Sequence, residues 1–260
     1  MNKPLPKQPP SRQQRRGIYL LPNIFTTGTL FGGFYAIIAA TQGHFGMAAV
    51  GIFVAMMMDM MDGRVARLTH TESDFGVQYD SLADLVAFGL ASSLVAYLYS
   101  LQTLTAYGEV IGKLGWLAAF FYAAAAALRL ARFNITRAAP VEKKAFIGLP
   151  SPAAAGLLVG FVWAGSDFDI DGATLVIPVF LLTIAAGLLM VSNIRFQSFK
   201  ELKFGERVPF TYILLMVALL VLVMLDPPRV LFAGFFLYAI SGPLGAVYKR
   251  RRRKRSKHRP

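Results

Sequence analysis

An acidic pair interrupts an apolar stretch of the chain. The residues that lie three, four, seven and eight positions after Asp59 are Asp62, Gly63, Ala66 and Arg67. This spacing places all of them on one face of a helix. A charged side chain inside a membrane helix costs at least about 2.5 kcal/mol. We therefore interpret the pair as functional rather than as helix caps.

A second acidic pair follows shortly after the first. Asp80 and Asp84 lie four and eight positions after Gly76, so these three residues also share one face of a helix. A loop of about a dozen residues, longer than the usual connection, is expected between the two helices. The two acidic faces can then turn toward each other.

Four carboxylates in one cleft repel each other strongly unless cations neutralise them. Ligands that are all oxygen suit hard divalent ions such as Mg²⁺ or Mn²⁺. Arg67 beside such ions would attract a diphosphate, and Gly63 and Ala66 leave room on the same face for a ligand to approach the backbone. The pattern predicts a metal-assisted phosphoryl-transfer site.

The surrounding sequence is that of a membrane protein. The chain has 260 residues, of which 55% are hydrophobic and 16% charged, whereas soluble domains contain about 25% charged residues. A membrane span needs about 17–25 mainly apolar residues, which predicts an all-α integral membrane bundle of about six to eight transmembrane helices. The segments are Leu20–Ala40, Met47–Gly63, Asp80–Tyr99, Leu114–Phe133, Pro150–Trp163, Leu175–Met190, Pro209–Leu225 and Val230–Tyr248.

The charged residues divide the chain and suggest its orientation. A basic segment (1–17) and a basic tail (249–260) flank a single membrane domain (18–248), and lysine and arginine concentrate on the side of the termini and of the aspartates. This asymmetry predicts a multi-pass protein of the inner, cytoplasmic membrane, with both termini and the active site in the cytoplasm. The net charge of +13 then favours contact with anionic lipid, and we expect no nucleic-acid partner.

Other site chemistries find little support in the sequence. Cysteine is absent, which excludes thiolate metal sites, iron–sulfur clusters and disulfides. His44, His70 and His258 are scattered without the spacing of metal ligands. Ion-coupled transport through the membrane carboxylates stays a remote alternative.

The two acidic groups together fit the pattern D-x(2)-D-G-x(2)-A-R-x(8)-G-x(3)-D-x(3)-D without a departure. This pattern resembles the signature of the CDP-alcohol phosphotransferase family. The resemblance implies a fold with about six core helices, a homodimer, and two divalent ions that hold the diphosphate of a CDP-linked substrate. It makes Asp59, Asp62, Asp80 and Asp84 the metal-site carboxylates and Asp84 the general base. It also assigns CDP contacts to Asp59, Asp62, Gly63, Ala66, Arg67 and Gly76.

Three further segments resemble those of the bacterial phosphatidylserine synthases within this family. They are Leu21-Pro22-Asn23-Ile-Phe-Thr26-Thr27, Arg129-Leu-Ala-Arg132-Phe-Asn134 and Gly148-Leu-Pro150-Ser151-Pro152. The resemblance implies transfer of a phosphatidyl group from CDP-diacylglycerol to L-serine.

These segments supply the remaining candidate site residues. Arg129 and Arg132 could pair with the serine carboxylate, and Asn134 and Ser151 could bind its ammonium group or orient its hydroxyl; Asn23 and Thr26 become CDP contacts. Positive-inside anchoring explains the arginines equally well, and helix capping is an alternative for Asn23 and Thr26. Glycerol phosphate, inositol phosphate and choline stay open as acceptors.

Overall fold

The structure is a computed structural model that describes residues 12–69, 73–138, 146–196 and 210–256. The first part of the predicted N-terminal segment, residues 1–11, and the end of the predicted tail, residues 257–260, lie outside the described residues. Within the described part the regular structure is helical, apart from two short strands, β1 (Phe146–Ile147) and β2 (Arg195–Phe196), which pair antiparallel. The predicted all-α bundle is confirmed.

The first two helices form a hairpin. Helix α1 spans Arg12–Thr41 and helix α2 spans Phe45–Thr69. They approach closely because small residues meet at the contact: a Cβ added to Gly32 would lie 2.8 Å from the carbonyl oxygen of Gly51. Small residues at such crossings are typical of helices packed within membranes.

The third helical segment is continuous but changes its winding. Helix α3 (Asp74–Asp84) runs into a π-helical turn (Leu85–Ala91) and then into helix α4 (Ser92–Tyr99). Only residues 70–73 separate α2 from α3. The predicted loop of about a dozen residues is therefore wrong, because α2 continues as a helix through the basic residues that the prediction assigned to the loop.

The remaining helices complete the bundle. A 3₁₀ helix (Leu101–Tyr107) leads to α5, and four α-helices follow the first strand. Their bounds are Glu109–Ala138 for α5, Ser151–Asp167 for α6, Val176–Val191 for α7, Phe210–Leu225 for α8 and Pro227–Ser256 for α9. Every predicted apolar segment overlaps one of the helices.

The core is built from small side chains, and large apolar ones face outward. Alanine dominates the buried hydrophobic residues of α1, α2 and α5, and alanine, glycine, leucine and valine share those of α6, while the side chains of 214–222 in α8 are exposed. Among the described residues, five helices are long and apolar enough to cross a membrane; they are Pro22–Thr41, Phe45–Thr69, Asp74–Tyr99, Glu109–Ile135 and Pro227–Tyr248. A shell of exposed hydrophobic side chains around a tight core suits a lipid environment.

Candidate metal and nucleotide site

The end of α2 presents the first acidic pair on one face. Because the helix continues to Thr69, Asp59 and Asp62 lie one turn apart on the same side. Asp62 is buried, with 5% of its surface exposed, and Asp59 is half-buried. These carboxylates are thus held inside the protein, at the end of an apolar helix.

The start of α3 brings the second pair to the first. Ser73 caps the helix, since its hydroxyl accepts a hydrogen bond from the backbone N–H of Gly76 at 3.1 Å. One turn later, Asp80 faces α2. Carboxylate oxygens of Asp59, Asp62 and Asp80 all lie within 4.8 Å of one another.

Asp84 lies one turn further along α3 and is not part of this group of three. It is 9% exposed, and its Oδ1 atom is buried without a hydrogen-bond partner among the described residues. Its charge interacts with those of Asp59, Asp62 and Asp80, and with that of Arg129. The structure therefore places Asp84 beside the acidic group, with a free carboxylate oxygen.

This donor set fits a divalent cation. Three carboxylates at such short separations repel one another unless positive charge lies between them, and Asp84 adds a buried oxygen that no protein donor satisfies. Hard ions such as Mg²⁺ and Mn²⁺ prefer carboxylate oxygen as a ligand. Asp59, Asp62 and Asp80 form the group that can hold such an ion, and participation of Asp84 as a further ligand stays a prediction.

The small residues of the pattern differ in their surroundings. A Cβ added to Gly63 would meet only Nη2 of Arg67, at 3.9 Å, so the helix surface there is open. At Gly76 an added Cβ would lie 3.2 Å from Oγ of Ser73 and 3.8 Å from Oδ1 of Asn23. Gly63 thus leaves space beside Arg67, while Gly76 packs closely against its cap residue Ser73.

The other predicted CDP contacts lie around this region. Ala66 is half-buried on the face of Gly63, and Asn23 is half-buried beside the start of α3. Thr26 is buried, and its hydroxyl donates a hydrogen bond to Oδ2 of Asp62 at 2.9 Å. In this structure Thr26 is therefore a partner of the acidic group.

Two of the predicted acceptor residues come together behind the aspartates. Nη1 of Arg129, on α5, donates a hydrogen bond to Oγ of Ser151, the first residue of α6, at 2.7 Å. Both side chains are buried, and Nε of Arg129 has no hydrogen-bond partner among the described residues. A buried guanidinium with a free donor lies within electrostatic range of Asp84.

The other two predicted acceptor residues make different contacts. Arg132 is exposed and donates a hydrogen bond to Oδ1 of Asn193 at 2.7 Å. Nδ2 of Asn134 donates to Oγ of Ser81 at 2.9 Å. Ser81 follows Asp80 directly, so Asn134 ties the end of α5 to the acidic part of α3. A role for either residue in acceptor binding stays a prediction.

A comparison of the sequence with known protein families agrees with this interpretation of the site. The model of the CDP-alcohol phosphatidyltransferase family matches residues 19–245, which include nearly all of the described bundle. The chain belongs to this family. The chain is thus a transferase of a membrane-enzyme family, and its apolar helices make it a multi-pass membrane protein.

Individual relatives also support membership of this family. This chain is 37% identical over 225 residues to a CDP-diacylglycerol–serine O-phosphatidyltransferase of Helicobacter pylori. The aligned residues cover 86% of this chain and 90% of the relative. A protein of the same name from Bacillus subtilis is 34% identical over 70% of this chain and 92% of its own length. One from Methanocaldococcus jannaschii is 38% identical over 57% of this chain and 62% of its own.

Several residues of the site were not among the sequence predictions for this family member. Ser81 and Asn193 hold side chains of α5, and neither stands out in the sequence. Tyr122 is fully buried with an unpartnered hydroxyl, which lies within electrostatic range of Arg129. A signal for Tyr122 exists, because it lies seven positions before Arg129 and hence on the same helix face.

Proposed function

We propose that this chain is a phosphatidylserine synthase, which converts CDP-diacylglycerol and L-serine to phosphatidylserine and CMP. The observation that carries the proposal is the 37% identity over 86% of the chain to a relative that bears this name. The acidic group and the buried Arg129–Ser151 pair support it, because they provide groups for a diphosphate and for an amino acid side by side.

The carboxylates of Asp59, Asp62 and Asp80 would hold the cofactor, two divalent ions, Mg²⁺ or Mn²⁺. When bound, these ions would stabilise negative charge on the transferred phosphate and on the departing CMP. The open helix surface at Gly63, with the guanidinium of Arg67 beside it, suits the diphosphate. Ala66, Gly76 and Asn23 would border the nucleotide.

Asp84 would act as the general base. The hydroxyl oxygen of serine attacks the β-phosphorus, which carries the lipid, and the bond between this phosphorus and the oxygen of CMP breaks. The hydroxyl proton passes to Asp84, whose Oδ1 has no protein donor competing for it. Arg129, with its charge close to Asp84, holds the base inside the protein without blocking that oxygen.

Arg129 and Ser151 would bind the acceptor. The guanidinium uses Nη1 for Ser151 and keeps Nε free, so it can donate further hydrogen bonds to the carboxylate of serine. A polyol lacks this carboxylate. The buried guanidinium therefore favours an anionic acceptor placed next to Asp84.

One assay tests the reaction. The purified protein is given CDP-diacylglycerol and Mg²⁺ or Mn²⁺ with labelled serine, glycerol phosphate, inositol phosphate or choline, and CMP and lipid product are measured. Release of CMP that depends on serine, and that EDTA abolishes, is expected. Release with another acceptor alone would leave the family role intact and overturn serine as the substrate, and ion movement without CMP release would favour a transporter.

We also propose the orientation and assembly that the sequence predicts. The chain would lie in the inner membrane with its active site and both termini in the cytoplasm, since lysine and arginine concentrate on that side. Its basic segments would contact anionic lipid. The family resemblance implies a homodimer, and the mass of the protein in lipid nanodiscs, measured by light scattering, tests that state.

A further inference from the structure

A buried threonine on α1 contacts the acidic group directly. Oγ1 of Thr26 lies 2.9 Å from Oδ2 of Asp62 and 3.2 Å from the carbonyl oxygen of Pro22. One hydroxyl has one proton to donate. The carboxylate is both the closer and the stronger acceptor, because a hydrogen bond to an ionised group is shorter and stronger than one to a carbonyl.

This contact is unusual among the threonines of the helix. A threonine in a membrane helix commonly donates to the carbonyl four residues earlier. Thr29 does so, at 3.3 Å from the oxygen of Phe25, and its other neighbour is the carbonyl oxygen of Ala55 at 3.4 Å. Thr29 is buried and faces α2 as Thr26 does, but it touches no carboxylate.

The next residue of α1 reaches the other acidic helix. Oγ1 of Thr27 lies 2.7 Å from the carbonyl oxygen of Asn23 and 2.9 Å from the hydroxyl of Tyr79. Since a carbonyl can only accept, Thr27 donates to Asn23 and Tyr79 donates to Thr27. Tyr79 directly precedes Asp80 in α3. Helix α1 thus contacts both helices that carry the acidic group.

The contact from Thr26 to Asp62 is important because the carboxylates of the acidic group repel one another. The carboxylates of Asp62 and Asp80 repel each other before any cation is present. A hydrogen bond to Oδ2 fixes the orientation of the Asp62 carboxylate, and a fixed carboxylate loses less freedom when it binds an ion. The threonine therefore acts on the acidic group through Asp62.

We propose that Thr26 is a positioning residue, whose hydroxyl orients the carboxylate of Asp62 for binding a divalent cation. This role differs from the nucleotide contact that the sequence predicts for Thr26. It rests on the proposed metal site, although not on the identity of the acceptor alcohol.

The test measures binding of Mn²⁺ to the full-length protein in lipid nanodiscs by electron paramagnetic resonance, without substrate. Thr26→Val keeps the shape and removes the hydroxyl, and should weaken the affinity about tenfold, as loss of a partner of a metal ligand does. Thr26→Ser keeps the hydroxyl and should stay within about twofold of the original protein. Thr29→Val is the matched control, with the same change in a buried threonine of the same helix, and should leave the affinity unchanged.

The possible results are distinct. An unchanged affinity in Thr26→Val, or an equal loss in Thr29→Val, would overturn the proposal. If Thr26→Val does not fold, Thr26→Ala removes the hydroxyl without adding bulk, and the same loss is expected there. Failure of the original protein to bind Mn²⁺ would remove the metal site and this inference together.

Catalysis provides an independent readout. The Mn²⁺ concentration for half-maximal CMP release should rise about tenfold in Thr26→Val, with kcat recovered at saturating Mn²⁺. If neither the original protein nor the variants release CMP with serine, but Thr26→Val still binds Mn²⁺ more weakly than the original protein, the proposed function fails and the role of Thr26 stands.

Discussion

Among individual side chains, Asp84 differs from the other aspartates in its surroundings. Three carboxylates lie within 4.8 Å of one another, while Asp84 lies one turn further along α3, outside this group. The grouped carboxylates suit cation binding, and the separate one can accept a proton. This difference predicts that removing the charge of Asp84 affects catalysis more than metal binding.

We expect Asp84→Asn to lower the rate of CMP release by about 10²–10⁴-fold, the usual contribution of a general base. Its Mn²⁺ affinity should fall by less than the rate does, because Asp84 lies outside the group of three carboxylates and loss of a residue beyond the ligands costs at most about 10–100-fold in affinity. Asp74→Asn is the control, because Asp74 is exposed at the start of the same helix. Turnover near the original rate would remove Asp84 from the reaction.

Arg129 offers a second test, on the acceptor. Arg129→Gln removes the positive charge, and a hydrogen bond to a charged group contributes about 1.5–3 kcal/mol, so the KM for serine should rise about tenfold or more. The KM for CDP-diacylglycerol should change little. Arg132→Gln alters an exposed arginine one turn away and should have a smaller effect. Melting temperatures of both variants separate a binding defect from loss of folding, and equal serine KM values would contradict the assignment.

The sequence predicts the acidic residues themselves better than their partners. Helical spacing alone places Asp59, Asp62 and Asp80 on facing sides, and the structure groups them. The bonds from Thr26 to Asp62 and from Asn134 to Ser81 join residues 36 and 53 positions apart. Such pairs depend on the packing of whole helices, which no local pattern encodes.

Helices and their connections show where local patterns succeed and fail. Each predicted apolar segment coincides with a helix among the described residues, because burial in lipid demands long apolar runs. Hydropathy misplaces the end of α2, since the helix extends past Gly63 to Thr69. Arg67 lies in the last turn of α2, where a positive charge stabilises the carboxyl end of a helix. Polar residues there do not mark a loop.

The pairing of β1 with β2 is also not predicted from the sequence. Two residues form each strand, too few for an alternating pattern to appear. Directly after β1, Gly148 adopts a φ of 82°, and a Cβ there would lie 2.2 Å from the carbonyl oxygen of Met190. This turn leads to Ser151, so its shape sets the start of α6.

Gly148→Ala should therefore destabilise the protein strongly and lower serine-dependent activity. Gly43→Ala is matched in backbone strain, because Gly43 has a φ of 79°, but an added Cβ meets no atom within 4 Å. Strain alone costs about 1–2 kcal/mol. A melting temperature for Gly148→Ala clearly below that of Gly43→Ala is expected, and equal values would show that the clash with Met190 is relieved.

The bundle as an assembly has two chemically different ends. Ser151, at the start of α6, lies at the end that carries Arg129 and the aspartates. At the other end of α6, Asp167 lies 3.7 Å from the guanidinium of Arg229, in the first turn of α9. Helix α9 therefore runs from that far end back toward the acidic group, and α1 begins on the side where α2 ends, because the two helices form an antiparallel hairpin. The described ends of the chain share the end of the bundle that holds the site.

Labelling of single cysteines tests how these ends face the membrane, and the chain suits it because it contains no cysteine. Thr69→Cys reports the site, Lys254→Cys the basic tail and Asp171→Cys the far end. In intact cells an impermeant maleimide should label only Asp171→Cys, because basic ends stay in the cytoplasm; permeabilised cells should label all three. The reverse pattern would place the site outside, where CDP-linked substrate made in the cytoplasm cannot reach it. Labelling of Thr69→Cys and Lys254→Cys from opposite sides would contradict the shared end that the helices define.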